Sequence, residues 1–419
     1  MIKAKPFDIS KREVWEAFKR VKANQGAAGV DGQSIAAFEA NLSNNLYKLW
    51  NRLSSGSYLP PPVRRVEIPK ASGGTRPLGI PTVADRIAQE VARRRLEALL
   101  EPVFHRDSYG YRSGRSAIDA VRAARQRCWK SAWVIDLDIK SFFDTIDHEL
   151  LLKAVRHHTQ CRWMLLYIER WLKAPVQKVD GSIEPRIAGT PQGGVISPLL
   201  ANLFLHYVFD RWMDRELPHI PFERYADDII CHLKTKGEAF AVLERLKTRF
   251  AMCGLALHPQ KTKIVYCLDT NRPGRYALHS FDFLGFTFRP RLTKWPNGTY
   301  GVSFLPAASN AALKAIRREI RQWGLQRRSD KSLDDLARMF GSKIQGWINY
   351  YSHFYKSALY PTLTRIDVNL LRWARRKFKS LRQRPRQARI WLAKIQQRSP
   401  GLFPHWQFRY GNSRMLGAG

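Results

Sequence analysis

The 419-residue sequence is short of acid: 35 Asp and Glu stand against 71 Lys and Arg, a formal net charge of +36. A surplus of that sign and size points to a polyanionic partner, nucleic acid most simply, with an anionic membrane as the rival. No apolar run reaches the roughly 18 residues of a spanning helix, which argues against an integral membrane protein. The opening residues Met1-Ile2-Lys3-Ala4-Lys5-Pro6 lack the apolar core of a secretory signal. Five cysteines, at 128, 161, 231, 253 and 267, include no CxxC pair. They read as reduced core thiols of a cytoplasmic protein and exclude an appended module built on a cysteine-bound metal. Internal repeats and low-complexity stretches are also missing. A hydrophobic content of 44% is too high for disorder, and the length allows two or three domains.

Against that background, Tyr225-Ala226-Asp227-Asp228 is the most informative segment. The β-forming residues on either side predict strand, tight turn, strand, with both aspartates at the tip. Alone the pair is open to two readings, a solvated turn or hard oxygen ligands for a phosphate-handling divalent cation. In Trp133-Val134-Ile135-Asp136-Leu137-Asp138-Ile139, apolar residues alternate with two aspartates that a strand places on one face. A carboxylate in a buried strand costs several kcal/mol unless paired or metal-bound. Asp138 is therefore the natural partner of Asp227 and Asp228, unless Asp136 and Asp138 line the wet face of an edge strand.

Elsewhere, the patterns predict helices over 8–20, 34–54, 84–101, 116–130 and 237–252, with two more over 148–173. Val63 to Ile80, interrupted by Gly73-Gly74, predicts a basic hairpin whose Lys70 and Arg76 can neutralise a triphosphate, or simply a turn. Gly189-Thr190-Pro191-Gln192-Gly193-Gly194 predicts a loop, and Ser197-Pro198 an N-cap and first turn for an apolar helix. The glycines let backbone approach a base, with the Gln192 amide as a contact. Phe281 to Phe286 reads as an aromatic strand with Gly285 inside it, either core packing or a close backbone approach.

Residues 301–419 hold 24 Lys/Arg and 5 Asp/Glu, a net of +19. Helices are expected over 309–323, 332–354 and 361–381. Residues 371–394 carry ten Lys/Arg and no acid, interleaved with Trp373, Phe378 and Trp391. That mixture suits phosphate contact plus base stacking, since unrelieved like charge repels itself without a polyanion.

In order, these segments resemble the bacterial group II intron-encoded reverse transcriptases over nearly the whole chain. The similar blocks are Gly29-Val30-Asp31-Gly32, Ile68-Pro69-Lys70 through Arg76-Pro77-Leu78-Gly79-Ile80, Ser108-Tyr109-Gly110-Tyr111-Arg112, Asp138 to Asp144, Thr190 to Pro198, Tyr225 to Asp228, and Phe283-Leu284-Gly285. Gly346-Trp347-Ile348-Asn349-Tyr350-Tyr351 and Arg372-Trp373-Ala374 resemble the maturase region. The resemblance implies an α+β right-hand polymerase: fingers with an amino-terminal extension at 1–130, a palm with an antiparallel sheet at 131–300, a helical thumb and maturase domain at 301–382, and a short basic DNA- or RNA-binding segment at 383–419. It implies an RNA-directed DNA polymerase that promotes group II intron splicing and retrohoming, with two Mg²⁺ held by Asp138, the Ile139 carbonyl, Asp227 and Asp228. Lys70, Arg76, Ile139, Phe143, Gln192 and Lys261 then contact the nucleotide. Phe143 acts as a steric gate against ribose, and Lys261 is a candidate proton donor to pyrophosphate. Tyr225, Phe283, Leu284 and Gly285 touch primer and template, and Arg372, Arg375, Arg376, Lys377, Lys379 and Arg382 bind RNA. The implied partners are the intron RNA, an RNA template with DNA primer, target DNA and deoxynucleoside triphosphates, with no membrane. The protein is expected in the bacterial cytoplasm, at the nucleoid when it acts on DNA. No nuclease domain is read in these residues, as in the endonuclease-lacking branch. The alternatives are a splicing cofactor alone and a domesticated reverse transcriptase of host or phage defence.

Overall fold

A computed structural model describes residues 5–69 and 74–410, which divide into two compact units: residues 1–120 with 133–264, and residues 121–132 with 265–419. Lys70 lies outside the described residues.

The first unit opens with helix Lys11–Asn24, started by a reciprocal capping box: Ser10 Oγ accepts from the Glu13 N–H (3.2 Å), and Glu13 accepts from the Ser10 N–H (2.9 Å). Its buried stripe, Val14, Ala17, Phe18 and Val21, has helical spacing. The single helix expected over 34–54 is two, Ile35–Glu39 and Leu42–Ser55, because Asn41 leaves the helical region at φ −129°. Val63–Pro69 and Thr75–Ile80 form the expected antiparallel hairpin. Short strands Val176–Gln177 and Ile183–Glu184 extend that sheet.

A second sheet holds Phe222–Tyr225, Asp228–Leu233 and Trp133–Leu137, antiparallel in that order, with Lys263–Tyr266 beyond. Helix Ser197–Leu205 buries Leu199, Leu200, Leu203 and Phe204. Proline stands in its first turn as expected, but Ser197 does not cap it. The Ser197 hydroxyl instead accepts from Thr190 Oγ1 at 2.8 Å, tying the helix to the preceding loop.

Helix Val83–Leu100, capped by Thr82, buries Asp85 completely. Tyr58, Trp171 and Gln89 donate to its carboxylate at 2.7–2.9 Å. Burial nevertheless outweighs these donors and pushes its pKa up from 3.8 to about 6. A carboxyl raised in the folded state keeps a proton that the unfolded chain has lost. Its contribution is therefore complete below the unfolded value and lost as pH climbs through the folded one, by about 3 kcal/mol for a shift of two units. Urea midpoints should fall between pH 4 and 6.5, and Asp85→Asn should flatten that slope whatever it costs in absolute stability.

In the second unit, Phe281–Phe283, Phe286–Lys294 and Tyr300–Ala308 make an antiparallel sheet. The expected aromatic strand through Gly285 is corrected: Phe283 pairs with Phe286, so Leu284 and Gly285 are a two-residue turn with φ of 51° and 80°. Two positive φ values in a two-residue hairpin loop match the right-handed twist of the strands. The alternation of the flanking phenylalanines hid the reversal.

Helices Asn310–Gln322, Leu333–Tyr351 and Tyr360–Lys377 follow the expected spans within a few residues, and Pro385–Arg398 and Pro404–Tyr410 complete the unit. Trp323 is the centre of a stack, 4.4 Å from Phe340 and 5.4 Å from Trp347. Ala388, Leu392, Phe403 and Trp406 belong to the same apolar core, so residues 385–410 share the core of the preceding helices. Asp367 fastens the last helix by accepting from His405 Nε2 (2.9 Å) and Trp406 Nε1 (2.8 Å). Among the described residues no helix is long and apolar enough to cross a membrane.

Candidate active site

Strand register builds the site. Tyr225 pairs with Asp228, leaving Ala226 and Asp227 as the two-residue turn. Ala226 has φ 56°, the positive value that the first position of such a turn requires and that an alanine adopts only under strain. On the other side of Asp228–Leu233, Leu137 pairs with Ile229. Asp138 and Asp228 are the next residues along the two strands. Asp138 itself lies just past the strand end, and its main chain is held on both sides. Its N–H donates to Thr262 Oγ1 (3.3 Å), and its carbonyl accepts from the His258 N–H (2.7 Å). Ile139 is buried and bridges to Leu257.

The electrostatics follow from this crowding. Asp228 is open to solvent but walled by protein, and its carboxyl is pushed up to about 7 by desolvation, then by Asp227, then by Asp138. Asp227 is raised as well, chiefly by desolvation, with Asp138 adding to it and Arg76 opposing. Lys261 Nζ stands 3.3 Å from Asp138 Oδ2, and its charge opposes the rise of Asp228. Desolvation thus raises both turn aspartates, and the charge of Asp138 adds to the shift of each. Among the described residues no group of three or more His, Cys, Asp and Glu is placed to hold a metal ion by itself. An ion of the magnesium type does not require one, because it takes one or two carboxylates and completes its shell with water and substrate phosphates.

The basic hairpin and the glycine loop are joined beside this group. The Gly79 N–H donates to the Gln192 carbonyl at 2.7 Å, and Arg76 Nε donates to the Gln192 side-chain carbonyl. The same loop clamps Phe143. The Thr190 N–H donates to the Phe143 carbonyl (2.7 Å), and the Gly189 N–H to that of Ile146 (2.8 Å). Phe143 is buried, edge-on to Phe142. Thus Arg76, Asp138, Asp227, Asp228, Gln192 and Lys261 are brought together, with Phe143 one clamp away and Tyr225 in the hairpin.

Sequence reasoning missed the support beneath the turn. Arg224, fully buried, donates through Nε and Nη2 to Asp210 (2.7 and 2.6 Å), and through Nη1 to Asn202 Oδ1 (2.9 Å) and the Ala226 carbonyl (3.2 Å). Asn202 donates onward to the Gly110 carbonyl (2.6 Å). A Cβ on Gly110 would lie 2.5 Å from the Ala226 nitrogen, so only glycine fits under the turn. Asn202 was visible as the lone polar residue among Leu199, Leu200, Leu203 and Phe204, and Arg224 as a cation among β-formers.

In the second unit, the Leu284 carbonyl accepts from Tyr350 (2.8 Å) and that of Gly285 from the Ser309 N–H (2.9 Å), which anchors the turn to two helices. Phe283 is buried. Of the six basic residues, Lys377 donates to the Ser329 and Lys331 carbonyls (2.9 and 2.7 Å), Arg375 to that of Arg382 (3.1 Å) and Arg376 to that of Gln326 (3.4 Å). Arg372, Lys379 and Arg382 are exposed.

Carboxylates at a palm-type hairpin, flanked by a basic hairpin and a glycine loop, define a nucleotidyl-transferring polymerase. Residues 68–288 match the family described as reverse transcriptase (RNA-dependent DNA polymerase), and the chain belongs to that family of α+β right-hand RNA-directed DNA polymerases. Residues 313–391 match the group II intron, maturase-specific domain. The chain is 34% identical over 295 residues to Protein YkfC of Escherichia coli, covering 61% of this chain and 77% of that protein. It is 36% identical over 281 residues to the group II intron-encoded protein LtrA of Lactococcus lactis, covering 64% of this chain and 46% of that one. It thus spans three quarters of the first relative and less than half of the second. A solved telomerase structure from Candida albicans covers 81% of this chain and 62% of its own, at 12% identity and a TM-score of 0.46. Reverse transcriptases generally use divalent metal ions.

Proposed function

We propose that this chain copies RNA into DNA at Asp138, Asp227 and Asp228, and that its carboxy-terminal unit binds a group II intron RNA whose splicing and mobility it promotes. The observation that supports the site most is the pairing of Leu137 with Ile229, which leaves Asp138 and Asp228 as the next residues along, beside the turn-borne Asp227. Two Mg²⁺ held by these carboxylates and the Ile139 carbonyl would lower the pKa of the primer 3′-hydroxyl and neutralise the leaving pyrophosphate. The protein's own groups do the rest. Arg76 and Lys261 place fixed positive charge where the triphosphate gathers negative charge, and Lys70 is assigned to the same task from its sequence position alone. Gln192 presents its amide to the incoming nucleotide beside Ile139, Tyr225 is assigned to the primer and template, and in the second unit the Leu284-Gly285 turn, backed by the buried Phe283, is assigned to them too. Phe143 blocks a ribose 2′-hydroxyl. The Thr190 N–H holds the Phe143 main chain and Phe142 packs edge-on against its ring, so Phe143→Ala should raise ribonucleotide incorporation by roughly tenfold or more relative to deoxynucleotides, read in single-nucleotide extension.

The partners in this reading are the intron RNA, an RNA template with a DNA primer, target DNA and deoxynucleoside triphosphates, in the cytoplasm and at the nucleoid. Arg372, Lys379 and Arg382 offer free guanidinium and ammonium groups to phosphate, while Arg375, Arg376 and Lys377 also brace the loops they contact. The match to a maturase-specific domain favours intron RNA over a defence role, which needs polymerase alone. Purified protein should extend a DNA primer on RNA and accelerate splicing of its intron at low Mg²⁺. Extension without any effect on splicing would remove the maturase half, and splicing without extension would leave a cofactor only.

A further inference from the structure

We propose that Arg224 and Asp210 are positioning residues for the catalytic turn: the guanidinium, locked by Asp210, grips the Ala226 carbonyl and so sets the direction of Asp227 and Asp228. This rests on the reading of those aspartates as catalytic.

Three features lead to it. First, Arg224 and Asp210 are both 0% exposed, and their two parallel hydrogen bonds fix the plane of the guanidinium. That leaves Nη1 aimed at Asn202 and at the Ala226 carbonyl, so the ion pair is rigidly coupled to the residue that carries the strained φ of the turn. The main chain of Arg224 is fixed as well, donating to the Asp107 carbonyl (2.9 Å) and accepting from the Tyr109 N–H (2.8 Å).

Second, Asp210 reaches Arg224 from an irregular helix. His206–Asp210 is a π turn inserted between helices Ser197–Leu205 and Arg211–Glu216. An extra residue in a helix turns everything after it by about 100°, and such insertions cluster at functional sites. Arg249 holds this one from outside, donating to the Val208 and Tyr207 carbonyls at 3.0 and 3.1 Å. Helix irregularity, external brace and buried carboxylate thus converge on one guanidinium.

Third, stability alone does not explain the pair. Replacing a buried ion pair by apolar residues of similar volume is often neutral or stabilising, whereas removing one partner is strongly destabilising. A buried pair that ends on the carbonyl preceding two catalytic carboxylates is explained by geometry.

The test uses the full chain, with thermal midpoint, primer extension on RNA and Mg²⁺ titration measured together. Arg224→Met strands Asp210 and should lower the midpoint. Arg224→Met/Asp210→Leu should recover it, yet extend with kcat at least ~10-fold below wild type, need several-fold more Mg²⁺ for half-maximal rate, and keep the KM for template and primer. A double variant with wild-type kcat and Mg²⁺ requirement overturns the proposal. If neither methionine variant folds, Arg224→Lys decides. It keeps a charge for Asp210 but loses the fork that reaches Ala226, so the folded protein should show the same fall in kcat and rise in Mg²⁺ requirement, and wild-type values would overturn the proposal. Asp227→Ala in the same assay separates the two levels of inference. Wild-type extension by Asp227→Ala defeats the catalytic reading itself, whereas an inactive Asp227→Ala beside a fully active double variant removes the bracket alone.

Discussion

Gly193→Ala should lower nucleotide incorporation at subsaturating triphosphate by roughly 100-fold, the scale set by a displacement of about 1 Å in a positioned site. Two constraints meet at this glycine. Its φ of +117° is one that L side chains rarely adopt, and a Cβ there would sit 2.4 Å from the Gly79 carbonyl oxygen. That neighbour is backbone in a paired strand and cannot swing aside, so the loop must lift off the hairpin. Lifting breaks the Gly79–Gln192 bond and the contact between Arg76 and the Gln192 amide. The loss should therefore appear mainly in KM for the nucleotide. Gly193 itself is exposed, so the thermal midpoint should move by only a few degrees. Single-nucleotide kinetics across a range of triphosphate concentrations check both halves of the expectation.

The parts of this site that the sequence made legible are those set by local pattern. The strand, turn, strand around Asp227 and Asp228 follows from alternation and turn chemistry within a dozen residues, as does the hairpin carrying Arg76. The third aspartate was reachable because a carboxylate in the apolar run Trp133 to Ile139 demands compensation. What stayed hidden depends on distant register. Arg224 sits among β-formers with no local partner, because its partners are 14 and 22 residues away on an irregular helix that ends in a π turn. No periodicity argument anticipates such an insertion. Leu284-Gly285 was lost for a different reason: phenylalanines at 281, 283 and 286 satisfy a strand pattern even though the chain reverses between the last two. Ser197 carried a proper capping signature, and a tertiary contact with Thr190 claimed its hydroxyl instead.

Asp227→Ala should abolish RNA-templated extension to within the background, a fall of at least ~10³-fold, by analogy with deleting one preorganised group from a charged transition state. The same substitution removes a like charge beside Asp228, which should then titrate below about 7. Without divalent cation the variant should be no less stable than wild type, because the carboxylates repel one another and contribute function at a cost to the fold. Loss of activity with stability retained is the signature of a metal-binding carboxylate, and it distinguishes Asp227 from a turn residue that merely shapes the hairpin. The decisive measurement is extension of a labelled DNA primer on an RNA template by wild type and Asp227→Ala side by side, at matched protein concentration and saturating Mg²⁺. The account predicts full-length product from wild type alone; equal extension by both would contradict it.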